Sequence, residues 1–290
     1  MDKARFVTIF PTFESLDVVR QTLPTVIEET RRADARLIVH DSSVEQRDDK
    51  RSYLTEVCRP PSTFLMLTDQ LSMAAARNAC TRLAIELYCP DYICMLEDDH
   101  GFRPGFIDDA INAMERWYGR RAPNGLRFGL FTGSSDWPTT KHALAEVEGG
   151  HGYPVDDESP LSKGGCHNGC RIAPTHHWQN VLGGYDTDEY PISRFQTGSM
   201  IYRNYYRGFT TMTIAGGGVF MFEREGHGVT STQNKRWDDH FCASDPRARY
   251  RPTPDLAGAA DAHDGSRRIA NDASRDETWA PFPIAKKPKR

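Results

Sequence analysis

The sequence predicts an α/β fold: a mostly parallel sheet with helices on both faces. Two observations predict it. Through the first 133 residues, short apolar runs alternate with segments of helical period. Four of those runs also end in polar residues, which places a cleft along one rim, where such sheets bind ligands outside the carboxyl ends of their strands.

The elements follow in order. "RFVTIF" (5–10) is apolar and β-branched and reads as a buried first strand ended by Pro11. Ser15 is placed to N-cap a helix over 16–32, with Leu16, Val19, Leu23, Val26 and Ile27 on one face and a kink expected at Pro24. "ARLIVHDSS" (35–43) is a second strand, followed by a charged stretch (45–56) expected to be exposed. "TFLMLT" (63–68) is a third strand. Ser72 then caps a helix over 73–88, with Met73, Ala76, Cys80, Leu83, Ala84 and Leu87 at helical spacing. "DYICML" (91–96) is a fourth strand, 104–118 a helix with Pro104 at or near its first turn, and "RFGLFTG" (127–133) a fifth strand. The polar strand ends are Thr12–Glu14, Asp41–Ser43, Thr68–Asp69 and Glu97–His100.

Residues 134–290 read differently. Over 134–200 the chain is rich in Gly, Pro, His and Asp, and no element is assigned. Residues 210–225 read as a pair of strands broken at Gly216–Gly218, and 244–278 as loop or a wrapping tail. No internal repeat is present. The division is therefore 1–133 and 134–290 within one continuous domain.

Composition narrows the class. With 290 residues, 38% hydrophobic and 26% charged, the chain can bury a real core. A net charge of −4 excludes a chain built as a nucleic-acid-binding cation. The basic end "AKKPKR" (285–290) reads as a solvated tail, with weak contact to phosphate or an anionic membrane surface as the alternative. The apolar run near the N-terminus is too short for a signal peptide, and no stretch approaches the roughly 18 apolar residues of a membrane span. A cytoplasmic protein is expected. An odd number of cysteines, seven, with Cys58, Cys80, Cys89, Cys94 and Cys242 scattered, reads as mostly reduced thiols.

The stretch "DYICMLEDDHGF" (91–102) runs an apolar strand into three acids and a histidine. These acids are solvent-facing, cap the next helix, pair with Arg103, or hold a hard divalent cation. The last reading fits Mg²⁺ or Mn²⁺, which take one or two carboxylates and complete their shell with water and phosphates. Such a cation neutralises a diphosphate leaving group.

Four stretches together, "VTIFPTFES", "LIVHDSS", "SMAAARNACTRLA" and "YICMLEDDHGFRPGFI", resemble in order and spacing the nucleotide-sugar-binding half of GT-A-fold glycosyltransferases, especially family 2. The resemblance covers roughly residues 5–118. It implies a Rossmann-like GT-A sheet followed by an irregular acceptor-binding second half. It implies transfer of a sugar, with inversion, from a nucleoside-diphosphate sugar (a UDP-sugar first among them) to a hydroxyl acceptor that the sequence does not identify. Carried over, it puts Pro11, Thr12 and Glu14 beside the nucleotide, and Asp41 where it accepts from a base imide. Arg77 and Asn78 would line the nucleotide or diphosphate, Glu97 and Asp98 would face the ribose and metal, and Asp99 would bind the metal directly. Glu14 stands where the family has Asn, and Glu97 where it has Asp.

Inversion needs a carboxylate to take the acceptor's proton. "RWDDHFCA" (236–243) resembles the helix start that carries the family's base, with Trp237 in the Glu position, and offers Asp238 or Asp239. "GGYDTDEY" (183–190) resembles the turn before the acceptor helix and keeps Asp186 and Asp188 as alternatives. His263 in "AHDGSRR" (262–268) suits a late metal ligand, and Arg267 and Arg268 read as surface arginines or diphosphate contacts. A rival metal site, Cys166, His167, Cys170, His176 and His177, matches no zinc module; a Gly-rich acceptor loop is the preferred reading there, with Trp178 and Tyr185 offering faces to a sugar. Two other functions stay open: a nucleotidyltransferase, against which the acidic "PTFESLD" counts, and a non-catalytic sugar- or nucleotide-binding protein.

Overall fold

In a computed structural model of the chain, residues 3–69, 73–122, 126–133, 152–154, 161–163, 169–185, 200, 203–204, 207–214 and 218–221 are described. The strands of the first half are β1 (Phe6–Thr12), β2 (Arg36–Asp41), β3 (Thr63–Leu67), β4 (Tyr92–Leu96), β5 (His100–Phe102) and β6 (Arg127–Gly133). Those of the second are β7 (Gly152–Pro154), β8 (Leu161–Lys163), β9 (Cys170–Pro174), β10 (Phe209–Ile214) and β11 (Val219–Met221). The four longer helices among the described residues are α1 (Leu16–Arg32), α2 (Arg47–Val57), α3 (Met73–Tyr88) and α4 (Phe106–Trp117).

Nine strands form one sheet in the order β3-β2-β1-β4-β9-β6-β10-β8-β7. Strands β3, β2, β1 and β4 are mutually parallel, and β6 pairs parallel with β10. Antiparallel β9 is inserted between β4 and β6, so those two point the same way. The expected mostly parallel sheet is therefore present, and its two layers of helix are too. Helices α1, α2 and α4 bury Val19, Leu23, Leu54, Phe106 and Ile111 on one face with Phe6, Phe10 and Val39. Helix α3 buries Ala74, Cys80 and Ala84 on the other with Val7, Ile9 and Ile93.

Several local expectations are corrected. Strand β1 does not stop at Pro11 but runs on to Thr12. Its pairing with β4 ends at Ile9, while pairing with β2 continues to Thr12, so the missing N–H of Pro11 falls where one side of the strand is already unpaired. Ser15 occupies the N-cap position of α1 but makes no side-chain cap bond. The Leu16 amide donates instead to Gln46 Oε1 at 2.9 Å. Pro24 lies inside α1, as read, and the helix continues past it to Arg32. The stretch expected to be exposed is helix α2, with Lys50 and Leu54 buried. Pro104 stands near the first turn of α4, as read, just before the N-cap Gly105, and the buried Glu29 carboxylate accepts from the amides of Gly105 and Ile107 at 3.0 Å each. The two strands read near Gly216–Gly218 exist, but in different sheets, since β11 pairs with β5.

Two fully buried histidines tie stability to pH. Burial pushes His40 and His177 down to about 4 from the ordinary 6.5. The unfolded chain binds these protons first as pH falls, so the stabilising contribution is complete above about pH 6.5 and lost toward pH 4. The loss at pH 4 is expected to reach about 3 kcal/mol for each histidine. Urea midpoints between pH 7.5 and 4 check this; a flat profile contradicts it. Among the described residues, no helix is long and apolar enough to cross a membrane.

Candidate functional site

The carboxyl ends of β1, β2, β3 and β4 share one rim of the sheet. The turn after β1 is held in an uncommon shape: Glu14 and Ser15 both have φ of 51°. Side chains of this kind rarely hold the left-handed region unless their surroundings fix them. Here Glu14 is fixed. Its carboxylate accepts from three successive amides, Val44 (2.6 Å), Glu45 (2.9 Å) and Gln46 (3.0 Å), in the turn that leads into α2. Its own amide donates to Ser43 Oγ at 2.8 Å. Glu14 thus holds the turn before α2 from across the rim, while Gln46 accepts from the first amide of α1. The expectation that Glu14 faces a nucleotide meets a carboxylate engaged with protein on both oxygens.

Asp41 is fully buried. Its Oδ1 accepts from Thr12 (3.0 Å) and Ser43 (2.6 Å), and Lys50 Nζ lies 3.3 Å away. Its Oδ2 carries no hydrogen bond among the described residues, with Arg51 Nε at 3.8 Å. Pro11 and Thr12 are also buried just under the rim. Lys50, with no exposure, donates to the Glu14 carbonyl as well. Burial lowers its pKa, against the pull of Asp41 and Asp98. Sequence reading missed Lys50, although it shares a helical face with Leu54 four residues on.

The three acids occupy the turn between β4 and β5 and diverge. Glu97 turns toward α3 and β9: its Oε1 accepts from Arg77 at 3.0 Å and Arg171 at 3.2 Å. Asp98 turns toward β1. The Phe13 amide donates to its Oδ2 at 3.3 Å, and Thr22 Oγ1 donates to its carbonyl at 2.7 Å. Burial pushes the Asp98 carboxyl up to about 7, Lys50 opposing and Asp99 adding to the rise. Asp99 Oδ1 meets His100 Nδ1 at 2.5 Å, and its Oδ2 has no hydrogen bond among the described residues. The His100 ring packs on Gly169, where a Cβ would lie 1.9 Å from Nε2. Gly169→Ala is therefore expected to displace the ring that braces Asp99 and to cost about 1–3 kcal/mol, the range for overpacking a buried site. A urea titration reads that loss; an unchanged midpoint contradicts it.

Arg77 and Asn78 lie on the buried side of α3. Asn78 grips the backbone of Tyr185 twice, donating to its carbonyl and accepting from its amide at 2.8 Å each. Arg203 donates to the Gly184 carbonyl at 2.5 Å. Tyr185 is thus fixed inside the protein, with the Arg77 and Arg171 guanidinium carbons 5.1 and 5.8 Å from its ring centre. Trp178 is buried too, donating to the Ile93 carbonyl at 3.0 Å. The reading of Trp178 and Tyr185 as open sugar-stacking faces is corrected: both belong to the core on the α3 side of the sheet. Arg171 was not foreseen. Its signal was a lone arginine between Cys170 and Ile172 in an otherwise apolar run.

Asp186, Asp188, Asp238, Asp239, His263, Arg267 and Arg268 fall outside the described residues, as do Cys166 and His167 of the rival cluster. The rest of that cluster is divided. Cys170 Sγ lies 3.7 Å from Cys94 Sγ, whereas His177 contacts Asn204 (2.9 Å) and Tyr118 (3.1 Å). His176 also contacts Tyr118, at 2.8 Å.

Among the described residues, no three His, Cys, Asp or Glu side chains converge as a metal cage. The carboxylates present still fit a hard divalent cation. Adjacent Asp98 and Asp99 supply oxygen donors at a strand tip, and Asp99 keeps an oxygen without a hydrogen bond. One or two carboxylates suffice when water and phosphate complete the shell.

No protein-family model matches the chain, and no curated protein matches it. Solved structures do. A mannosyltransferase, PcManGT from Pyrobaculum calidifontis in complex with GDP-Man and Mn²⁺, aligns with a TM-score of 0.57 at 15% identity, over 98% of this chain and 78% of that one. GalNAc-T7 with UDP, GalNAc and Mn²⁺ aligns at 0.56 and 15% identity, over 97% of this chain and 58% of that one. S. aureus TarS 1-349 in complex with UDP-GlcNAc aligns at 0.53 and 10% identity, over 97% and 82%. With its parallel strands, inserted antiparallel β9 and acid turn after β4, the chain has the GT-A fold of these glycosyltransferases.

Proposed function

We propose that the chain is a metal-dependent, inverting glycosyltransferase that moves a sugar from a nucleoside-diphosphate sugar to an acceptor hydroxyl. The observation that carries the reading is the acid turn Glu97–Asp99 at the carboxyl end of β4, in a GT-A sheet. The complexes of similar structures with GDP-Man, UDP and UDP-GlcNAc support a donor of this class.

Asp99, with Asp98 beside it and His263 from the later chain, would hold Mn²⁺ or Mg²⁺, whose charge would offset that of the donor's diphosphate. The chain's own groups do the rest. Asp41 stands under the rim where a base would lie, fixing the Thr12 and Ser43 hydroxyls through Oδ1, and Lys50 offsets its charge behind it. Arg77 and Asn78 shape the wall on the α3 side rather than reaching out of it. Asp238 or Asp239 takes the proton of the acceptor hydroxyl as its oxygen attacks the anomeric carbon and the nucleoside diphosphate leaves. Asp186 and Asp188 are the alternatives.

The test is release of nucleoside diphosphate from UDP-glucose, UDP-GlcNAc and GDP-mannose with Mn²⁺, with and without candidate acceptors. Turnover of one donor is expected, with the base variant, Asp238→Asn or Asp239→Asn, reduced about 100-fold or more. Donor binding without any release, unaffected by either substitution, would instead mark a binding protein.

A further inference from the structure

We infer that Arg171, on the antiparallel strand β9, is a positioning residue that sets one oxygen of Glu97 to receive a ring hydroxyl of the donor. The inference rests on the transferase reading and extends it from the nucleotide half of the chain to a residue of the second half.

Glu97 Oε1 is held from two sides, by Arg77 of α3 at 3.0 Å and by Arg171 of β9 at 3.2 Å. Each bond joins charged partners and is stronger than a neutral one. Neither guanidinium can swing away easily. Both are buried, and both lie against the ring of Tyr185, 5.1 and 5.8 Å from its centre. Tyr185 is itself locked, through the two Asn78 bonds to its backbone. With two charged donors on one oxygen, the carboxylate is held in one orientation, and a flip of its two equivalent oxygens restores the same arrangement.

The second oxygen is the consequence. Glu97 Oε2 has no hydrogen bond among the described residues, and the side chain keeps 16% exposure. It is therefore an oriented acceptor at the rim. A carboxylate oxygen accepts from hydroxyls and repels phosphates, so the part of a sugar nucleotide it suits is a hydroxyl-bearing ring, either the ribose or the transferred sugar. A site built to bond a hydroxyl discriminates strongly against the analogue that lacks it.

The test separates an orienting role from a merely structural one. Binding of UDP and GDP, of their 2′-deoxy forms, and of UDP-GlcNAc and GDP-mannose is measured calorimetrically with Mn²⁺ for the wild type, Arg171→Met, Glu97→Gln and the double variant. If the ribose is the ring recognised, the wild type prefers the ribonucleotide over its deoxy form by about 10-fold. Arg171→Met then removes that preference, and the double variant binds no worse than Glu97→Gln. If the transferred sugar is recognised, Arg171→Met weakens only the sugar nucleotides by a similar factor. A uniform loss across all ligands, or no loss, overturns the inference. Should Arg171→Met not fold, Arg171→Lys, which keeps charge without the planar fork, is read by the same criteria. A wild type that binds none of these ligands removes the transferase reading, and this inference with it.

Discussion

Replacing Glu14 by alanine is expected to cost about 3–5 kcal/mol of folding stability, the range for removing one partner from a buried charged network. The residue is buried, and its carboxylate accepts from three successive amides of the turn that leads into α2, the last of them that of the N-cap residue Gln46. Alanine leaves those amides unsatisfied and removes a negative charge from the positive end of the helix. It also loosens a turn in which Glu14 and Ser15 both sit at φ of 51°. Lys50, which donates to the Glu14 carbonyl and neighbours Asp41, then loses part of its setting. Glu14→Gln keeps one acceptor oxygen and should lose about half as much. Urea unfolding of the two variants reads the difference. Equal, near-zero losses would mean that the carboxylate does not organise α2.

Asp99→Ala is expected to leave the protein folded and to reduce metal-dependent donor binding or turnover by at least about 100-fold. The carboxylate lies at the tip of the acid turn, braced by His100 on one oxygen only. Its removal also takes the partner of the buried His100 Nδ1, so urea unfolding of the variant is measured beside its donor binding to separate stability from function. His100→Gln, which changes the brace and not the ligand, should cost about 10- to 100-fold in metal affinity. Full activity in a folded Asp99→Ala protein would remove the metal assignment.

The parts of this molecule legible in its sequence are those where one segment carries its own signal. The continuous apolar run of β4 and the helical period of α3 each bury a face without help, and they stand where the pattern puts them. Helix α2 did not announce itself, because its buried face is one leucine and a lysine whose counter-charge, Asp41, sits on another strand. Strand β9 was hidden for the same reason: its arginine is buried in a core where Glu97 and Tyr185, from elsewhere in the chain, are among the groups that receive it. At the site, the acid run was visible, but the different directions of its three side chains were not. Those directions are set by Phe13, His100 and the two arginines, and Arg171 comes from a region without periodic signal. The bracing of the turn before α2 by Glu14 and the capping of α4 by Glu29 belong to the same class, since each meets amides far along the chain.

The central claim is that the acid turn after β4 serves a metal-dependent sugar-nucleotide site, and calorimetry of UDP, GDP, CDP and dTDP, each with and without Mn²⁺, tests it most directly. Binding of one nucleoside diphosphate that requires Mn²⁺ is the predicted result, and it names the donor class. A folded protein that binds none of the four, with or without the metal, would contradict the account.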